Sequence, residues 1–376
     1  MDFALTDEQQ EIRRAARDHL ERRYPATRVC ALAEGPGGSE AGAWPELIRQ
    51  GWLDGDLGMV ELALLAEESG RCLHPTPWWT TVALAAPYVR AAGEPLILPA
   101  TFADGAPEGA APPGAGTVRA TRSRQGWLLT GQVPTVPQAG AVRCVVVRAH
   151  TDEGPAVFAC DTGSTGLVVE ELSTLDTLRR MARLRWDGTP ARLLVEPADT
   201  PRVARLARLR GGVLLAAEAV GVAAGALEMA VAHARLREQF GRPIGSFQAV
   251  AHQLTDAHVD TESARSLAYR AAWLVRDEAF PAAAQARDEA SPAAEQAVDE
   301  AVLVARGAAV RTCETAVQVT GGMGVTWEFP LHRWLRRALW LEAFPGFGDD
   351  PHDRVAERLL RRDDPGEFTP TTPDGR

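Results

Sequence analysis

The sequence predicts an α+β protein, mainly α, built from three successive units. These are an N-terminal helical domain (1–117), a middle antiparallel β domain (118–200) and a C-terminal four-helix bundle (201–376). Three observations predict it. Helical periodicity fills both flanks. Between them lie GWLLTG, RCVVVRAH, AVFACD, GLVVEEL and MARLRWDG, short β-branched runs punctuated by Gly, Asp or Thr. A long stretch of small apolar residues, GGVLLAAEAVGVAAGALEMAVAHARL (211–236), opens the last unit and reads as a helix buried on all sides. With 376 residues, 45% hydrophobic and 24% charged, the chain has ordinary globular composition and enough length for a large core.

In the first unit, Thr6 followed by Gln9 is a capping-box pattern that opens a helix. ELALLAEESGR (61–71) carries one apolar stripe and is expected to close at Gly70. TTVALAAPYVRAAGE (80–94) reads as a further helix, and the Ala-, Gly- and Pro-rich segment 103–118 as a linker into the β unit. After Pro201 come the small-residue helix, an amphipathic helix over 247–279 and a third over 291–318. The third is capped by Ser291, with Pro292 at its first position, and stops at Gly321–Gly322. PHDRVAERLLRR (351–362) is the last helix.

The net charge of −10 argues against a general nucleic-acid surface and against anionic membranes. No apolar run approaches the roughly 20 residues expected of a membrane helix. The opening MDFALTDEQQEIRRAARD is charged from its second residue and has no signal-peptide core, so a cytoplasmic location is expected. Cys30, Cys72, Cys144, Cys160 and Cys313 are far apart and read as buried small hydrophobes. His252 and His258 are six residues apart on a predicted helix, which does not put them on one face, and no metal is expected.

The chemistry concentrates in REQFGRPIGSFQ (237–248), between two predicted helices. Arg237 at a helix end offers a fixed fork for a phosphate or carboxylate. Phe240 adds an aromatic face, and Gln239 and Gln248 add amide donors and acceptors. Together these suit an aromatic ligand carrying a diphosphate. Spacing alone favours a plainer reading, with Arg237 as a solvated cap and Phe240 as core. QVTGGMGVTWEFP (318–330) places Gln318, Gly321 and Gly322 at a double-glycine turn where a backbone or ligand can approach closely, although helix termination alone also explains it.

Taken together, R-x-x-F-G-x-x-I-x-x-F-Q and the later Q-x-x-G-G-x-G resemble the acyl-CoA dehydrogenase family of FAD flavoproteins. MDFALTDEQQEIR, EESGR, LLTG, LDTLRRMARLRWDG and EFPLHRWLRRA match that family's landmarks in order along nearly the whole chain. The resemblance implies the three-domain fold named above and FAD held between subunits. Arg237, Gln239, Phe240 and Gln248 would hold the diphosphate and adenosine side, with Gln318, Gly321 and Gly322 contributed by the neighbouring subunit. It also implies a dimer of dimers, an acyl-CoA or acyl-carrier-protein thioester as substrate, and electron transfer flavoprotein as partner.

The pattern breaks where the family keeps its carboxylate base. Aligned on the RRA segment, that position falls at Pro345, and the family's second solution falls in RLARLRGG (205–212), which has no acid. Glu342 and Arg265 remain as catalytic candidates, each with a plain surface reading beside it. Asp349 and Asp350 read better as caps of the last helix. The pocket-shaping loop before ELALLAEESGR is nearly deleted, and QVPTVPQAG (132–140) replaces the flavin-facing pattern, leaving Thr135 as a poor substitute donor. The expectation is therefore an FAD-dependent acyl-thioester desaturase acting as one subunit of a mixed assembly, like the base-less subunits of heteromeric steroid or acyl-CoA dehydrogenases. The alternatives are a non-catalytic structural partner, or a scaffold reused for another reaction on a thioester.

Overall fold

The computed structural model describes residues 4–35, 38–105, 116–124, 126–275, 291–344 and 350–361. The first unit comprises α1 (Asp7–Arg23), α2 (Ala26–Glu34), α3 (Trp44–Arg49), α4 (Met59–Arg71) and α5 (Ala86–Ala91). The capping box forms as read, with the Gln9 amide N–H donating to Thr6 Oγ1 at 3.2 Å and the Thr6 N–H to Gln9 Oε1 at 3.1 Å. The predicted helix over 80–94 is instead a π-turn (Thr80–Ala85) running into α5. Pro87, which has no N–H, lies where the ladder changes register.

Seven strands form one sheet: β1 (Ala100–Asp104), β2 (Thr117–Ser123), β3 (Gly126–Pro137), β4 (Cys144–Thr151), β5 (Gly154–Asp161), β6 (Leu167–Glu171) and β7 (Met181–Val195). The order is β1-β4-β2-β3-β7-β5, and a further β4–β5 pairing closes the sheet on itself around Val118, Leu129, Val147, Phe158, Leu184 and Trp186. Most pairings are antiparallel, but β1 runs parallel to β4, Ala100 opposite Cys144. The sheet thus begins at Ala100, ahead of the boundary expected at 118, because β1 and β2 share one edge of β4. Most of the expected linker, 106–115, lies outside the described residues.

The bundle contains α6 (Thr200–Leu236), α7 (Gln248–Val275), α8 (Pro292–Thr320) and α9 (Leu331–Ala343), with α10 (Pro351–Arg361) against α8. A hairpin of β8 (Glu238–Gln239) and β9 (Arg242–Pro243) joins α6 to α7. α6 is long and apolar enough to cross a membrane, contrary to the sequence expectation, but 89% of its apolar window is buried inside the protein, and it forms the core of the bundle. Its first turns pack on the sheet, where Val203 and Ala207 meet Val146, Val157 and Val195.

The crossing of α4 and α6 explains EESGR. A methyl group at Gly70 would stand 2.2 Å from the Glu218 carbonyl oxygen, and one at Gly221 would stand 1.9 Å from that of Glu67. Gly70 is therefore a close-approach residue, not the helix stop expected, and α4 runs on to Arg71. Around this contact Glu68 accepts from Arg17 at 2.8 and 2.9 Å, and Arg71 donates to Glu21 and Glu228. Glu67, 3% exposed, accepts from Tyr269 Oη at 2.7 Å. The motif bolts α1, α6 and α7 to α4.

Candidate cofactor site

α7 and α8 are antiparallel, as shown by the Thr261–Thr312 hydroxyl contact at 3.4 Å and the Arg270–Glu300 ion pair at 3.0 Å. The start of α7, the end of α8 and the end of α6 therefore share one end of the bundle. REQFGRPIGSFQ and QVTGGMG, some seventy positions apart in sequence, arrive at the same face.

Arg237 caps α6 with extended backbone (φ −75°, ψ 121°), and its N–H donates to the His233 carbonyl at 2.8 Å. Among the described residues no carboxylate pairs with its guanidinium, which is exposed. Phe240 and Gly241 form the two-residue hairpin turn, both with positive φ (55° and 78°). That turn suits the strand twist but strains a phenylalanine by about 1–3 kcal/mol. Phe240 is 93% exposed and touches the edge of Phe247, whose face lies 4.0 Å from the Arg242 guanidinium carbon. A strained aromatic held out into solvent is the opposite of the core residue that spacing suggested.

Gln248 opens α7 and is exposed, while Gln239 is exposed and donates to the Glu238 carbonyl at 2.8 Å. Gln318 is exposed on the last turn of α8. Gly321 ends α8 with φ 64°, and neither it nor Gly322 has an atom within 4 Å of where a Cβ would stand. The face also exposes Leu236 (83%), Val325 (65%) and Trp327 (62%). An open cation, exposed amides, aromatic edges and bare glycine backbone on one surface can hold a planar nucleotide and its phosphates, once another surface covers them. The nucleotide end of FAD fits this arrangement as a half-site.

Other sequence candidates fall elsewhere. Thr135 is exposed on β3, at the register break between Val133 and Val136, so the bundle end does not include it. Arg265 donates to Glu67 at 3.0 Å and pairs with Glu262; burial opposes its charge, but those carboxylates outweigh it and raise its pKa. It belongs to the α4–α7 clamp. Glu342 is exposed on α9. Asp350 caps α10, accepting the His352 N–H at 2.9 Å, which lowers its pKa. Pro345 and Asp349 lie outside the described residues.

Sequence reasoning missed a cluster of deeply buried charges. Where the three units meet, Arg179 clamps Glu218 with two hydrogen bonds of 2.6 and 2.7 Å. Arg337 donates to Glu218 at 2.8 Å and pairs with Asp176. None of the four residues exceeds 3% exposure. The signal was present: Glu218 is the one acid in LLAAEAVGVAAGAL, a stretch otherwise apolar throughout. This junction is filled by side chains.

Residues 203–360 match the family described as acyl-CoA dehydrogenase, C-terminal domain. Acyl-CoA dehydrogenase FadE27 of Mycobacterium tuberculosis is 30% identical over 246 residues, covering 65% of this chain and 64% of that protein. The chain therefore spans a little under two thirds of this curated relative's length. Among solved structures, the ChsE4-ChsE5 complex of Mycobacterium tuberculosis is similar over 100% of both chains, with 26% identity and a TM-score of 0.80. Butyryl-CoA dehydrogenase of Megasphaera elsdenii shares the fold, with a TM-score of 0.82 over 96% of this chain and 100% of that one at 24% identity. The family match lies on the bundle that carries Arg237 and Gly321, and the fold agrees along the whole chain: residues 203–360 match the acyl-CoA dehydrogenase C-terminal domain, and the chain is similar to acyl-CoA dehydrogenases.

Proposed function

We propose that the chain takes part in FAD-dependent α,β-desaturation of an acyl thioester, carried by CoA or a carrier protein, as one subunit of a mixed dimer of dimers. One observation carries this reading: the contrast between an open nucleotide face at the bundle end and a packed junction between the three units. The bound flavin supplies the acceptor for the substrate's β-hydride. Arg237 would neutralise the diphosphate, Phe240 and Phe247 would present aromatic edges to the adenosine side, and Gln239 and Gln248 would fix its polar edge. Gln318, Gly321 and Gly322 would approach a dinucleotide of the neighbouring subunit through backbone and amide groups.

The α-proton needs a carboxylate within hydrogen-bond reach, and the family position falls at Pro345, which has none. A related partner subunit would supply that base. Similarity to the ChsE4-ChsE5 complex, two differently named components in one assembly, supports a mixed assembly here. Electron transfer flavoprotein is the acceptor the family resemblance suggests for the reducing equivalents.

The test is an absorbance spectrum of the purified chain, alone and co-purified with a related dehydrogenase subunit that keeps its base. Flavin in the mixed assembly, with thioester-dependent bleaching, is expected. A colourless preparation in both cases would exclude the reading.

A further inference from the structure

His233 stands one turn before Arg237, where α6 ends. Its carbonyl accepts the Arg237 N–H at 2.8 Å, so imidazole and guanidinium rise from the same turn. The imidazole is half-buried. Among the described residues, neither its ring nitrogens nor the Arg237 guanidinium has a hydrogen-bond partner. The other charges at this end are directed elsewhere. Glu228 pairs with Arg71, and Arg242 of β9 lies over Phe247. The turn Ile244–Ser246, which packs on Ala234 through Gly245, carries no charge. Arg235 and Glu238 beside it, and His252 and Asp256 of α7, are exposed to solvent. Arg237 is the charge that acts on His233: burial first, and then that guanidinium, hold its pKa below 6.5. The ring is therefore neutral near neutral pH. The carbonyls at the end of α6 favour the protonated ring, and the neighbouring cation opposes it.

An anion on Arg237 reverses that balance. A diphosphate offsets the opposing charge and adds a negative one, and a protonated His233 then strengthens its hold. We propose that His233 is a second, proton-carrying contact for the diphosphate: anion binding and protonation of this imidazole favour each other, with the proton drawn from solvent. The inference rests on the functional reading above, which supplies the diphosphate. Empty, the turn carries one cation; filled, it carries two.

Calorimetric titration of the mixed assembly, stripped of flavin, with adenosine diphosphoribose tests it. That probe carries its diphosphate as a diester and exchanges no proton near neutral pH. Repeating the titration in buffers of different ionisation enthalpy counts the protons taken up. Uptake of a fraction of a proton is expected between about pH 5.5 and 8, with affinity falling as pH rises by at most about tenfold per unit. His233→Gln, polar but without a titrating nitrogen, should bind with no uptake and a flat profile over that range. Binding without uptake in the wild type would overturn the linkage alone. Uptake that persists in His233→Gln, or in His233→Asn where the first does not fold, would overturn it too, by placing the proton on another group. A probe that binds at no pH would defeat the functional reading, and the linkage with it.

Discussion

Arg179 and Glu218 form a two-bond ion pair in which neither side chain is more than 2% exposed. Buried this deeply, the pair costs more when broken than it contributes when made, because removing one partner strands the other charge. Glu218→Ala leaves Arg179 and one arm of Arg337 without their acceptor. Stability should fall by about 3–5 kcal/mol, read as a lower urea midpoint with an unchanged slope. Adding Arg179→Met should return part of that loss, since the uncompensated cation is gone. A double variant as unstable as the sum of the singles would show that the two residues act independently.

The α4–α6 crossing gives a second expectation. Gly221→Ala places a methyl 1.9 Å from the Glu67 carbonyl oxygen, a rigid backbone atom. The helices must separate, at a cost of about 1–3 kcal/mol. Gly55→Ala meets nothing within 4 Å and should change stability by less than about 0.5 kcal/mol. Thermal unfolding of the two variants compares them directly.

His74 supplies the pH dependence. It is 4% exposed, packed against Tyr24 at 5.1 Å and Trp52 at 5.7 Å, with Ser69 and Thr76 hydroxyls beside its ring nitrogens. Burial, then the nearby charges of His19, Arg337 and Arg179, push its pKa from 6.5 down to about 3. The folded state therefore holds the neutral ring, while the unfolded chain takes up a proton below about 6.5. This contribution is fully present above that pH and is lost as pH falls toward 3, at up to about 1.4 kcal/mol per pH unit. Glu68 works in the other direction, since burial raises its pKa, so the wild-type curve mixes the two. The difference between wild type and His74→Gln isolates the histidine: it should shrink as pH drops from 7 to 4. A constant difference would mean that His74 titrates normally.

Asp299 ties the last helix down. It is 1% exposed and accepts from Arg354 at 2.7 Å and Arg358 at 2.6 Å on α10, and from Arg208 at 3.4 Å on α6. Asp299→Asn removes the charge those guanidinium groups share. Amide exchange across Pro351–Arg361 should speed up by about tenfold or more while the sheet is unaffected. Unchanged protection on α10 would mean that apolar packing alone holds it.

The fold was legible because its signals are local. The Thr6 cap, the Ser291–Pro292 start and the Gly321 stop are each set within a few residues. β1 was missed because its partner β4 lies some forty positions on, and a parallel pairing leaves no turn to read. Gly70 was misread because glycine marks a helix end and a close crossing alike, and only the partner helix distinguishes them. The motif at 237–248 was legible as a polar turn between two helices, but spacing could not tell that Phe240 points into solvent. The junction charges were invisible pairwise: Arg179, Glu218 and Arg337 meet across gaps of 39 and 119 residues.

The exposed hairpin yields the last prediction. If the proposed function holds, Arg237→Ala removes the cation that would face the diphosphate and should lower flavin retention in the mixed assembly by at least about tenfold, at little cost in stability because the side chain is exposed. Phe240→Gly separates the two properties further. Glycine adopts the positive φ of 55° without strain, so the variant should gain up to about 1 kcal/mol of stability after its greater unfolded-state entropy is counted. Because the aromatic edge is gone, flavin retention should fall at the same time. Opposite changes in melting temperature and flavin content would mark Phe240 as a residue whose strain is kept for binding. A variant that gains stability and keeps its flavin would show that the strain has no part in holding the cofactor.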